Sequence, residues 1–350
     1  MSQPANRLAN SISRTSLYVA AGRAIGARER DPAARNPDHL AATLLGDPSA
    51  LGVDHPVVRA MSLDYDEAMR DGRVVSNVRR MIVRTRYIDE ALQRAVADGT
   101  TQVVILGAGF DTHAYRCQEL LKHVRVFEVD RPTTQAFKQE RVNAVLGGPP
   151  PNLTYVASDF AHDELRDDLM RHGHDPAQKT FFILEGVTMY VPEANVRDTL
   201  RFVASHVPGS AIVFDFVYRT MIDMLSGTES GNVPEAARPV LQRLLKTMKD
   251  EPWLFGIPVG GEREFLNELG LELREVLPVG GEESLKRYLT RADGTQVGNE
   301  VIGAGRTRIA YRASAAEPSV EAEQILPERM HELQQMMSYQ IAWAIVAQRS

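Results

Sequence analysis

A single cysteine, Cys117, in a chain of 350 residues excludes an internal disulfide and any cysteine-rich metal site. With no evident histidine partner, that thiol reads as buried and inert rather than nucleophilic. No apolar run reaches the roughly eighteen residues that a membrane span requires, and residues 1–14 lack the apolar core of a signal peptide. The expectation is a cytoplasmic protein with no membrane partner. A formal net charge of −6 argues against a nucleic-acid partner, because phosphate binding needs clustered Lys and Arg. His162, His172 and His174 lie near several acids but without the spacing of a metal-binding helix, so no metal is expected. There is no internal repeat, no low-complexity tract and no linker that divides the chain.

The chain centres on residues 102–116, QVVILGAGFDTHAYR. Val103, Val104, Ile105 and Leu106 have the composition of a strand buried on both faces of a parallel sheet. Gly107, Ala108 and Gly109 then form a turn that can bring bare main chain against a ligand, with Asp111 and Thr112 placed to cap the start of a helix. The turn lacks the Gly-Lys-Ser/Thr ending of a P-loop, and it carries Thr112 where a dinucleotide fingerprint has its third glycine. A nucleoside cofactor without a pyrophosphate, S-adenosylmethionine, is the third reading. Residues 124–130, VRVFEVD, form a second buried-looking strand ending in Glu128 and Asp130. An acid there can accept from both hydroxyls of a ribose, because neighbouring strands of a doubly wound sheet end side by side. Leu153 to Ala157 is the third strand, and Ser158, Asp159 and Phe160 at its end can hold an adenine. A helix N-cap is the rival role for Asp159. Thr180 to Leu184 is the next strand, ending in Glu185, Gly186 and, a turn later, Tyr190.

LGAGFDTHAYR (106–116), FEVDRPTTQAFK (127–138) and FILEGVTMYVPE (182–193) together resemble the sequence blocks of the leucine carboxyl methyltransferase family, including its bacterial O-methyltransferase branch linked to polyketide and other secondary metabolism. SRTSLYVAAGRA (13–24) and VRTRYIDEAL (83–92) are similar to the family's N-terminal helices, and the likeness runs from about residue 13 to 218. The resemblance implies an α/β, Rossmann-like class I methyltransferase fold with a seven-stranded, mostly parallel sheet. It implies an N-terminal helical cover (1–100) over a core (101–313). The stretch at about 219–258 is long for a connection and reads as a helical lid, and the C-terminal extension (314–350), which the resemblance does not explain, reads as helical. S-adenosylmethionine is the implied cofactor. Arg84 would pair with its methionine carboxylate, and Glu185 would offset its ammonium group. Glu128, Arg131 and Gly186 complete the cofactor-binding candidates at the block ends.

Two roles for Tyr190 stay open, the wall of the methyl-transfer position and a packed aromatic. His113 is the one candidate general base, needed only for a hydroxyl acceptor, since a carboxylate is already ionised at neutral pH. The implied reaction is methyl transfer to an oxygen of a small metabolite. Met221, Met224, Leu225, Trp253, Leu254 and Phe255 would give the lid an apolar inner surface suited to an aromatic acceptor. A nicotinamide-dependent oxidoreductase shares the strand, turn and distal acid, and predicts pyrophosphate room at Thr112. A cofactor-binding scaffold without turnover is the non-enzymatic alternative. The apolar tail from Met336 to Val346 either packs on its own domain or pairs two copies as a homodimer.

Overall fold

The computed structural model describes residues 14–47, 52–159, 165–226, 252–299 and 339–347. Strands β1 (Gln102–Leu106), β2 (Arg125–Asp130), β3 (Leu153–Ala157), β4 (Thr180–Leu184), β5 (Ala211–Phe216), β6 (Leu271–Pro278) and β7 (Gln340–Val346) form one sheet in the order β3-β2-β1-β4-β5-β7-β6. β1 through β5 pair in parallel, and β7 runs antiparallel to both neighbours. Strand order reverses between β1 and β4, which opens a crevice at their carboxyl ends. Every residue of β1, β4 and β5 is buried, as the unbroken apolar runs require.

The alternation of side chains along each strand feeds two cores. Val103, Ile105, Val126, Phe181, Ile183 and Val213 face one side, where the N-terminal helices pack. Val104, Leu106, Phe127, Phe182, Leu184 and Phe214 face the other, against Val196, Leu200 and Val203 of the Glu193–Ala204 helix. The Arg14–Gly26 helix crosses the Gly72–Ala97 helix where Gly22 meets Asn77 and Met81; a Cβ at Gly22 would overlap Asn77 Oδ1. The Gly72–Ala97 helix is capped by Asp71, which accepts from the Arg73 N–H at 2.8 Å, and it delivers the chain into β1.

Two expectations need correction. Residues 340–346 are a strand, not a helix, and they pack on their own domain, inside its sheet, so the dimer helix does not apply to them. Their alternating Ile341, Trp343, Ile345 and Ala342, Ala344, Val346 can read as either period, and only pairing with both β5 and β6 decides it. Residues 307–311, whose apolar pattern also reads as a strand, lie outside the described residues, as does most of the tail; the strand antiparallel to both β5 and β6 is 340–346. The charged stretch 163–178 reads as helical from the sequence, but the described helix covers only Leu165–Arg171, because Gly173 at φ 88° turns the chain out. Of the lid region, the described parts are the Arg219–Ser226 helix and residues 252–258.

Candidate functional site

The glycine turn closes onto the end of β2. Gly107 (φ 66°) and Gly109 (φ 42°) take up left-handed backbone that side chains resist, and a Cβ at Gly109 would press on Ser16 at 3.3 Å. Ala108 N–H donates to the Val129 carbonyl at 3.0 Å, and Gly109 N–H donates to Asp130 Oδ2 at 2.5 Å. Asp130 accepts a second bond from Arg131 N–H at 2.7 Å. Acid and turn therefore meet, and burial raises the Asp130 pKa against those two bonds.

Above this junction lies a cavity of about 430 Å³. Gly107, Ala108, Gly109, Asp111, Asp130, Arg131, Asp159, Glu185, Gly186 and Tyr190, all sequence candidates, line it. Thr15, Ser16, Val19 and Arg23 of the Arg14–Gly26 helix form one wall, and Pro252 and Leu254 reach in from residues 252–258. Its described charged lining is four carboxylates and two guanidiniums, so the space is acidic.

Other candidates lie elsewhere. Arg84 is buried under the cavity floor, not on its wall, with Nη2 2.7 Å from Glu185 Oε1 and Nη1 2.7 Å from Asp215 Oδ2. Burial opposes its charge, but the two carboxylates outweigh burial and raise its pKa. Asp215 spends its other oxygen on the Gly186 N–H at 2.6 Å, which holds the end of β4. Glu128 is buried against Lys138 at 2.7 Å, beside the Tyr115 hydroxyl, and burial pushes its pKa up to about 7 despite Lys138. Ser158 is fully buried; its N–H donates to the Asp130 carbonyl. Phe160 lies outside the described residues.

His113 is buried between two carboxylates. Its Nδ1 is 2.7 Å from Asp111 and its Nε2 3.0 Å from Asp89, which also takes a two-pronged contact from Arg116. Burial opposes the imidazolium, but Asp111 above all, with Asp89, outweighs burial and Arg116 and pushes the pKa up to about 9. The ring is 2% exposed and absent from the described cavity lining. Thr112 is equally buried and heads a helix of only four residues, His113–Arg116, so pyrophosphate room is lacking there.

Arg23 was not among the sequence candidates. It lines the cavity at 4% exposure, donates to the Phe110 carbonyl at 2.6 Å, and sits 2.9 Å from Asp38 and 3.4 Å from Glu185. Its signal was available, since one arginine interrupts the small-residue run AAGRAIG of a helix otherwise built to pack. The expected lid wall also changes. Phe255 belongs to the core beside Phe265, with ring centroids 5.6 Å apart, whereas Leu254 faces the cavity and its N–H donates to the Met189 carbonyl at 2.7 Å. Met221, Met224 and Trp253 are buried but do not line this cavity. The Leu225 side chain lies outside the described residues.

A glycine turn bonded to the acid of the next strand, in a seven-stranded sheet whose one reversed strand is β7, is the architecture of a Rossmann-like class I methyltransferase. Residues 16–204 match the sequence model of leucine carboxyl methyltransferase, and the chain belongs to that family. A protein of Mycolicibacterium smegmatis, named by inference as an S-adenosyl-L-methionine-dependent methyltransferase, is 34% identical over 239 residues, 64% of this chain and 73% of that one. A Bacillus subtilis protein named in the same way is 38% identical over 141 residues, 40% of this chain and 46% of that one. Among solved structures, a methyltransferase fold from Thermobifida fusca, its activity likewise assigned by inference, superposes with a TM-score of 0.49 at 14% identity, covering 88% of this chain and 93% of that one.

Proposed function

We propose that this S-adenosylmethionine-dependent methyltransferase of the leucine carboxyl methyltransferase family is an O-methyltransferase for a small, apolar, acidic metabolite. The observation that carries the cofactor is the acidic cavity over the Gly109–Asp130 junction. A pyrophosphate would be repelled by four lining carboxylates, whereas a ligand bearing a sulfonium and an ammonium is attracted to them. Asp130, Arg131 and Asp159 take the nucleoside end. Arg23 and Glu185 take the amino-acid end, a guanidinium for the carboxylate and a carboxylate for the ammonium. Arg84 and Asp215 act from beneath by fixing Glu185 and the Gly186 N–H. When bound, S-adenosylmethionine supplies an electrophilic methyl group.

Acceptor chemistry is set by the wall. Val187, Tyr190, Val191 and Leu254 make the mouth apolar, and the described lining holds no imidazole or amine. Such a wall aligns an acceptor that is already ionised, and alignment supplies much of the rate when no proton need be moved. A carboxylate therefore suits this site better than an alcohol. The N-terminal helix, Pro252 and Leu254 flank the mouth, and this narrowing favours a small molecule over a protein carboxyl terminus.

Calorimetry with S-adenosylmethionine, S-adenosylhomocysteine and NAD tests the cofactor assignment: the first two bind and NAD gives no heat. Micromolar NAD binding with silence from the others would reverse it. Labelled cofactor offered with aromatic acids, phenols and leucine-ended peptides tests the acceptor, and label confined to the peptides would overturn the small-molecule reading.

A further inference from the structure

Residues 252–258 are bonded through their main chain to the exits of two central strands. Leu254 N–H donates to the Met189 carbonyl at 2.7 Å, in the turn that follows β4. Ile257 N–H donates to the Val217 carbonyl at 3.1 Å, and Arg219 N–H donates back to the Ile257 carbonyl at 2.9 Å, just past β5. Gly256 permits this approach, since a Cβ there would stand 2.8 Å from the Arg219 nitrogen and 2.9 Å from the Val217 oxygen. Side chains along the segment alternate as in a strand. Trp253, Phe255 and Ile257 turn inward and are buried, whereas Leu254 turns out at 46% exposure.

Leu63, Met170, Leu254 and Val259 are the large apolar side chains left exposed among the described residues, and of these Leu254 alone lines the cavity. An exposed leucine on an open surface is ordinary and asks for no ligand. At the mouth of a cavity, beside Val187, Tyr190 and Val191, it adds reachable apolar surface to a concave wall, which is how small-molecule sites hold the body of a ligand. Its backbone is already fixed, so contact with a ligand orders little besides the side chain itself. The reacting oxygen of an acceptor must point inward to the methyl group, which leaves the far end of the molecule at the mouth. We propose that Leu254 is the specificity-determining residue of the acceptor site: it packs against the apolar end of the acceptor opposite the reacting oxygen, and so selects molecules that carry an alkyl extension there. The inference rests on the small-acceptor reading above and deepens it by naming the residue that reads the far end.

The test is calorimetry with benzoate, 4-ethylbenzoate and 4-butylbenzoate, and with the three matching benzamides, on the parent, Leu254→Met, Leu254→Ala and Leu254→Asp, each loaded with S-adenosylhomocysteine. In the parent, affinity rises along the acid series by up to about four-fold per methylene, the value for a fully buried CH₂. Leu254→Met keeps the rise, Leu254→Ala flattens it and Leu254→Asp removes it, while affinity for S-adenosylhomocysteine stays that of the parent. The rise is the readout, because a fault in folding would lower all three acids together and leave it in place. No rise in the parent, no binding of any of the six compounds, or a rise that survives in Leu254→Ala overturns the assignment. So does a loss of S-adenosylhomocysteine affinity in Leu254→Ala with the rise unchanged, since Leu254 would then touch the cofactor instead. Amides that bind as well as the acids and rise in the same way would defeat the carboxylate preference and leave the role of Leu254 standing. If S-adenosylhomocysteine does not bind the parent, the methyltransferase reading fails by itself, and the same series on the unloaded protein still decides the role of Leu254.

Discussion

Arg84 and His113 show how burial changes the role a residue type suggests. Both are sequence candidates for direct chemistry, and both are enclosed in charge clusters next to the cavity. Removing one member of such a cluster strands its partners, so Arg84→Ala is expected to cost about 3–5 kcal/mol of stability in addition to weakening the cofactor through Glu185. Chemical denaturation with and without S-adenosylhomocysteine separates the two effects; unchanged stability would show that the Glu185 and Asp215 carboxylates tolerate isolation. For His113 the sign is set by a folded pKa of about 9 against about 6.5 unfolded. Its stabilisation, up to about 3 kcal/mol, is fully present below about pH 6.5 and is lost as pH rises through about 9. Denaturation midpoints from pH 6 to 10 should fall for the parent over that window and fall less for His113→Gln. The pH profile of turnover should carry no His113 limb, because the ring is buried and doubly bonded.

At the level of elements, β7 is the least local part of the structure. It takes residues from the far end of the chain and places them between β5 and β6, pairing Ala342 with Phe214 and Val276. Ala344 is fully buried in this central position, opposite Ile212 and Leu273. Proline there removes a ladder donor where an interior strand cannot spare one, so Ala344→Pro should lose about 3 kcal/mol or more. A chain ending at residue 338 should expose the facing edges of β5 and β6 and aggregate. Size-exclusion chromatography of that truncation decides the matter, and a well-behaved monomer would mean that β7 is dispensable.

For the molecule as a whole, acid should act on the face of the sheet away from the N-terminal helices. His174 and His206 sit there with ring centroids 5.1 Å apart, among Phe127, Phe182 and Phe202. Burial, then the neighbouring His206, brings the His174 pKa down to about 4. The unfolded chain thus binds more protons between about pH 6.5 and 4, and stability falls as pH drops through that window. His174→Phe should flatten the fall in a thermal-shift series from pH 7 to 4. Cofactor binding acts in the opposite direction: S-adenosylhomocysteine at a hundred times its Kd adds about 2.7 kcal/mol, read as a raised Tm.

Strands β1 through β4 and the glycine turn were legible because their information is local: an unbroken apolar run, a glycine pair that alone tolerates positive φ, and an acid a fixed distance onward. The family resemblance was carried by the same contiguous blocks. Tertiary structure decided everything that depends on partners distant in the chain. Whether residues 340–346 form a helix or a strand depends on two edges more than sixty residues away. Whether Arg84 or Arg23 faces the cavity depends on Asp215, Asp38 and Glu185 converging from separate elements, since a buried guanidinium goes where carboxylates can neutralise it. His113 is enclosed for the same reason: the sequence places it after the turn, and only the fold supplies Asp89 as its second carboxylate.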